Sequence, residues 1–417
     1  MDQLVSRSAL NKIIIVAALG YFVDIYDLVL FGMERVASLK EILTPLYPDE
    51  AERANQVAVI GSSLLSYQMI GMLIGGVFWG VLGDKKGRLS VLFGSIIVYS
   101  LANIANGLIH DTFWYAVLRF ISGFGLAGEL GAGITLIAES MRKEDRGIGT
   151  TIVASVGLFG AVVAGLTTIL IDNWRVSYFI GGGMGLLLLF LRIGVFESGM
   201  FQQLKSNSTV KKGNFFYLFS KPALLFKYLN VILIAVPVWF VMFFLVQFAP
   251  EMSKALGMTD GPKEGKIPIM VAYIGITIGD VACGLLSQKC KSRKKVLFLY
   301  ISLTLFFTII YYLFAARSIT IFYTIIFCIG FATGYWAVFM SSAAELFGTN
   351  IRATVTTTAP NFVRGSVTLT TLAHSYLKPN VGHVTSTIII GGIIFVVAYI
   401  ACYKLEETFN KDLDYSE

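Results

Sequence analysis

YFVDIYDLVLFG, residues Tyr21–Gly32, lies inside an apolar run from 12 to 37 yet carries two carboxylates, Asp24 and Asp27. Three residues apart, the two acids share one face of a helix. Acids within an apolar span are costly and mark functional positions. An acid pair bonded only to nearby hydroxyls and amides is the plainer alternative. About 20 apolar residues cross the hydrocarbon of a bilayer, so this run is long enough to be a first membrane span. No small-residue cleavage site follows it, which suits a spanning helix better than a signal peptide.

The rest of the chain extends that pattern. It has 417 residues, of which 56% are hydrophobic and 14% charged; a soluble domain carries about 25% charged residues. With a mean hydropathy of +0.73, a polytopic membrane protein is expected. The net charge of +7 sits in short segments between apolar runs, so no nucleic-acid surface is expected. Four cysteines form no CxxC pair and no Cys/His cluster, which argues against a disulfide framework or a zinc site. Neither a phosphate-binding glycine-lysine motif nor a hydrolase nucleophile motif is present, so no enzymatic conversion, catalytic residue, metal or cofactor is expected.

Apolar runs fall near 12–37, 56–82, 89–109, 113–139, 147–171 and 174–196, and again near 223–250, 266–288, 296–315, 319–346, 353–377 and 384–404. The fold class read from them is all-α, with twelve transmembrane helices in two six-helix bundles. The expected division is 1–198 for the first bundle, 199–222 for a polar linker and 223–417 for the second. The even-numbered connections and the termini hold 21 Lys and Arg, the odd-numbered connections nine, and three (Arg119, Arg192, Arg364) fall within spans. Basic loops stay inside, so both termini and the linker are expected in the cytoplasm, with the protein in an inner or plasma membrane. The halves also echo one another. AESMRKEDRGIGTT at 138–151 and AELFGTNIRATVTT at 344–357 share AE, six residues, R, four residues and TT. GVLGDKKGR at 80–88 is echoed by GLLSQKCKSR at 284–293. A duplicated unit places substrate sites between the halves, near mid-membrane.

These stretches resemble the major facilitator superfamily. GVLGDKKGR is similar to the loop between its second and third helices, at Gly80, Leu82, Asp84, Lys85, Gly87 and Arg88. Within the superfamily the chain most resembles the metabolite–proton symporters, relatives of the sugar porters. The first-span residues Asp24, Tyr26, Asp27, Leu30 and Gly32 carry that likeness, with Arg119, Gly123, Gly125, Gly128 and Glu129 in the fourth. Glu197-Ser198 with Phe201 is similar to the segment after helix 6, although Gly199 stands where the pattern has proline. Gln288 replaces the acid of the second-half loop, and Gly157–Gly165 lacks the proline associated with drug antiporters.

The resemblance implies a cytoplasmic gate at Gly80, Asp84, Lys85, Gly87 and Arg88. A carboxylate there can accept from amides at a neighbouring helix N-terminus and pair with arginine. Glu139–Arg146 and Glu345–Arg352 are read as matching latches, with ordinary surface pairs as the alternative. Burial favours the protonated form of a carboxylate and a nearby arginine the charged form. Asp27 and Glu129 are therefore the expected proton-handling acids, with Asp24 third because Ile25 stands where the resemblance implies an aromatic neighbour. Arg364 is the expected grip on an anionic group, because guanidinium binds carboxylate or phosphate bidentately. Tyr26, Gln68, Arg119, Trp239, Trp336 and Asn361 complete the expected substrate site, and a strut role is the alternative for both arginines. His374 is read as a hydrogen-bonded interfacial residue. The function expected is uptake of a small polar metabolite, an organic anion or zwitterion, together with protons by alternating access. Its partners are the substrate, protons and the bilayer, with the chain a monomer. The rival reading is an exporter or facilitator of a siderophore, drug or amino acid.

Overall fold

The computed structural model describes residues 7–141, 146–196, 215–348, 350–409 and 411. The side chains of Glu139 and Arg146, the segment Glu197–Phe201 and most of the 199–222 linker lie outside the described residues. The first half runs α1 (Arg7–Leu43), α2 (Glu50–Lys86), α3 (Arg88–Asn106), α4 (Thr112–Leu126), α5 (Glu129–Ser140), α6 (Arg146–Leu170) and α7 (Trp174–Phe196). The second runs α8 (Pro222–Val241), a π turn (Met242–Gln247), the short α9 (Ala249–Ala255), α10 (Lys266–Cys290), α11 (Arg293–Phe314), α12 (Ile319–Thr333), α13 (Trp336–Leu346), α14 (Arg352–Val381) and α15 (His383–Lys404). Joining α4 to α5 and α12 to α13 gives twelve membrane-crossing segments, six in each half.

Eleven of these are apolar enough to be recognised as spans by composition. The twelfth is α14, whose RATVTTTAPNFVRG stretch is too polar. It is tolerated because that stretch is almost wholly buried, so its hydroxyls face other helices and not lipid. Elsewhere the boundaries follow side-chain capping. Asp49 accepts from the Glu52 amide at 2.8 Å, Asp111 from Trp114 at 2.9 Å, Ser292 from Lys295 at 3.2 Å and Ser318 from Ile321 at 3.2 Å. Each satisfies an amide that the first helical turn leaves free.

The sequence echo has a counterpart in packing. A Cβ on Gly71 or Gly75 would collide with the carbonyls of Phe120 and Phe124, and one on Gly275 or Gly279 with those of Phe327 and Phe331. The second span thus lies backbone-to-backbone on the fourth, and the eighth on the tenth, through the same glycine spacing. Two further glycines of the second span face the opposite half. A Cβ on Gly76 would press on Asn361, and one on Gly80 would stand 3.1 Å from the Thr354 Cα, both of α14. The fourth and tenth spans break at matching places, Ala127–Gly128 and Gly334–Tyr335. Each still forms one span, Thr112–Ile137 and Ile319–Leu346, matching the apolar runs read near 113–139 and 319–346.

Candidate functional site

One end of the interface between halves is closed at the loop singled out in the sequence. Asp84 Oδ2 accepts from the Thr354 backbone amide at 2.8 Å and from the Thr354 hydroxyl at 2.5 Å. Thr354 lies in the first turn of α14, where amides have no intrahelical partner. Asp84 also lies 3.4 Å from Arg88, which donates to the Gly83 carbonyl at 2.7 Å. The acid of the first half therefore clasps a helix start of the second. Gly87 contributes a backbone requirement: its φ of 94° is one that side-chain-bearing residues rarely adopt. Lys85 is exposed. In the second half Glu345 pairs with Arg293 at 3.1 Å, and Arg352 donates to the Ala344 carbonyl at 3.1 Å. Arg293 is the arginine of the GLLSQKCKSR echo, a partner for Glu345 that spacing alone did not reveal.

The opposite end is also bridged. Arg35 of α1 pairs with Glu251 of α9 at 2.7 Å, and Glu34 lies 3.6 Å from Lys266 at the start of α10. Between the two closures sits a central cavity of about 20 Å³, room for about one water. Tyr21 and Ile25 line it from α1, Trp239 from α8, Tyr273 from α10, Trp336 from α13 and Arg364 from α14. The Arg364 guanidinium lies between two indoles, 5.6 Å from the Trp239 ring and 5.8 Å from that of Trp336. It donates to Asn361 Oδ1 at 3.4 Å, and its Nε and Nη2 have no protein partner. Arg364 is the cation that acts most strongly on Asp24, whose carboxylate oxygens are buried and unbonded.

Three of the seven expected substrate residues, Trp239, Trp336 and Arg364, thus converge. The other four do not line this cavity. Tyr26 donates to the Ser177 carbonyl at 3.3 Å inside the first half. Arg119 is fully buried 4.9 Å from the Phe31 ring. Gln68 is buried with both amide atoms unpaired. Asn361 donates to the Ala127 carbonyl at 2.8 Å, across the interface. That carbonyl belongs to the break in the fourth span, so Asn361 ties the two halves at a backbone position the helix leaves unsatisfied.

The three expected proton acids differ in surroundings. Asp24 is buried, with Arg364 the cation that acts on it. Asp27 faces inward within the first half, against Asn103, Tyr26 and Gly181, with Arg119 its strongest cation. Glu129 forms a two-pronged pair with Arg192, fully buried beside Gly20. Arg192 also donates to the Leu92 carbonyl at 2.8 Å. The sequence flagged Arg192 as a cation inside a span but gave no partner for it. Asp280 is likewise newly placed: its carboxylate accepts from the Ala337 amide at 2.8 Å and caps α13, directly behind Trp336.

Comparison with known proteins agrees with this architecture. A family model for the Major Facilitator Superfamily matches residues 18–371. A protein of Haemophilus influenzae named for metabolite transport is 32% identical over 203 residues, 46% of this chain and 45% of its own length. The niacin transporter NiaP of Acinetobacter baylyi is 34% identical over 122 residues, 28% of each chain. The proline/betaine transporter of Escherichia coli is 27% identical over 219 residues, 48% of this chain and 43% of its own. The chain therefore matches less than half the length of each of these relatives. The solved structure of a proton:xylose symporter bound to 6-bromo-6-deoxy-D-glucose superimposes with a TM-score of 0.72 at 17% identity, over 98% of both chains. That likeness is one of fold.

Proposed function

The chain belongs to the major facilitator superfamily, and we propose that it imports a small organic anion or zwitterion together with protons by alternating access. The observation that carries this reading is Arg364. A buried guanidinium with two unpaired nitrogens, near two indoles on the central cavity, is suited to a planar anionic group. The names of two relatives, niacin and proline/betaine, are those of compounds that carry a carboxylate.

The same geometry supplies a coupling. Arg364 is the cation that acts on Asp24. A substrate carboxylate that takes Arg364 leaves Asp24 buried without it, and a buried carboxylate without a cation takes a proton. Substrate and proton then cross together, and loss of either restores the Asp24–Arg364 attraction. Asp27 and Glu129 remain proposed members of the proton path. The inner or plasma membrane, cytoplasmic termini and a monomeric chain complete the proposal, supported by the basic connections on one side.

Reconstituted vesicles test it. Carboxylate and zwitterionic metabolites are expected to accumulate when the outside is acidified. Efflux under the same gradient would overturn the symport reading in favour of export. The clasp at Asp84 gives a second expected result. Asp84→Asn weakens a charge-assisted bond to a helix start, worth about 1.5–3 kcal/mol. The population open at that end should rise roughly tenfold or more. Spin labels on the adjoining ends of α2 and α14 would show it as a longer-distance component. An unchanged distance distribution would mean that Asp84 does not hold the interface.

A further inference from the structure

Five of the nine Lys and Arg on the odd-numbered connections converge on one cleft: Lys40, Arg53, Lys254, Lys263 and Lys378. The cleft holds about 1100 Å³ at the end of the molecule opposite Asp84. The first half of α2 forms one wall, the π turn with α9 another and the last turns of α14 a third. Its acids are Glu50 and Glu251, and Glu251 is already neutralised by Arg35 at 2.7 Å. Among the described residues none of the five cations has an ion-pair partner. An excess of unpaired positive charge in a concave surface focuses the field on anions.

A second observation lies in the wall. Ser386 Oγ stands 2.8 Å from both the His383 carbonyl and His374 Nδ1, and His374 Nε2 lies 2.9 Å from His383 Nδ1. His383 Nε2 is buried and without a protein partner, and with the ring proton on Nδ1 it is a bare acceptor. The charged and titratable groups facing it are His374 and Lys378 of α14 and Glu251 of α9. A proton taken at Nε2 turns it into a donor and adds a sixth positive charge to the cleft.

We propose that this cleft is a binding site for a phosphate- or sulfate-type oxyanion, free or on a lipid headgroup, with the His383 imidazolium as one of its donors. The site is separate from the central cavity and does not depend on the transport reading. Sulfate is the probe, because its charge is constant between pH 5 and 7. With the protein in phosphatidylcholine nanodiscs, sulfate binding is expected by calorimetry at low salt and should weaken as neutral salt is raised. Lys254→Gln/Lys263→Gln/Lys378→Gln should weaken it roughly tenfold, while Arg364→Gln leaves it unchanged. Burial and Lys378 beside it resist the protonation of His383, so binding should tighten from pH 7 to pH 5, and His383→Gln should remove that dependence. In nanodiscs containing phosphatidylglycerol, loss of the sulfate signal assigns the cleft to a lipid headgroup, and its retention assigns the cleft to a free anion. Equal binding in the triple lysine variant, or loss in Arg364→Gln alone, overturns the proposal. In the second case the anion belongs to the central cavity, and the transport reading survives.

Discussion

Glu129→Gln is expected to destabilise the protein by roughly 3–5 kcal/mol, because it leaves Arg192 charged and buried without its counter-ion. Both side chains are almost wholly inaccessible, and the guanidinium spans both carboxylate oxygens. The remaining bond to the Leu92 carbonyl satisfies one donor but supplies no charge. Replacing both partners by apolar residues of similar volume, Glu129→Leu with Arg192→Met, should recover most of the loss, since a desolvated pair contributes little net stability. Unfolding of the purified variants in detergent or bicelles gives the comparison. A single variant as stable as wild type would show that the pair is not formed in the resting state. The result also bears on the proton path: if the pair holds, Glu129 is engaged by Arg192 at rest and is released only in a conformation that draws Arg192 away.

How much of this was legible in the sequence depended on the kind of signal. The spans and the two halves were written in apolar runs and in the AE…R…TT echo, because lipid forces long apolar helices and duplication preserves spacing. The clasp at Asp84 was legible in its chemistry, an acid placed to reach a helix start, but its partner Thr354 was not, lying 270 residues away. Local spacing likewise suggested Glu345 with Arg352 and could not show Arg293, which arrives from another span. The breaks in the fourth and tenth spans were missed because hydropathy reports burial and not backbone hydrogen bonding. FGLAGELGAG held the available signal in its glycines. The site residues divided by the same rule. Trp239, Trp336 and Arg364 were found by type, whereas Tyr21 and Tyr273 were passed over because a tyrosine in a span looks the same on a cavity and on a packing face. The ranking of the first-span acids rested on the neighbour of Asp24, Ile25. Packing changes the argument: Ile25 itself lines the cavity, and the Arg364 on that cavity is the cation that acts on Asp24.

Asp24→Asn is accordingly expected to uncouple transport. A proton gradient of one pH unit stores about 1.4 kcal/mol per proton, enough for a tenfold concentration ratio of a substrate moved with one proton. Wild-type vesicles should approach that ratio. In Asp24→Asn the amide neither releases a proton nor attracts Arg364, so the ratio should fall to one while exchange of substrate across the membrane continues. Exchange survives because Arg364, Trp239 and Trp336 are untouched and the cavity keeps its volume. Asp27→Asn acts in a different setting. Its carboxylate is turned toward Asn103 and span 6, away from the central cavity. Its expected effect is a slower rate at an unchanged final ratio. The two readouts separate the acids cleanly. A tenfold ratio retained in Asp24→Asn and lost in Asp27→Asn would move the proton to Asp27 and leave Asp24 as a partner of Arg364 alone. Loss of exchange together with the ratio in Asp24→Asn would instead mean that Asp24 binds substrate directly, a role suited to the cationic end of a zwitterion.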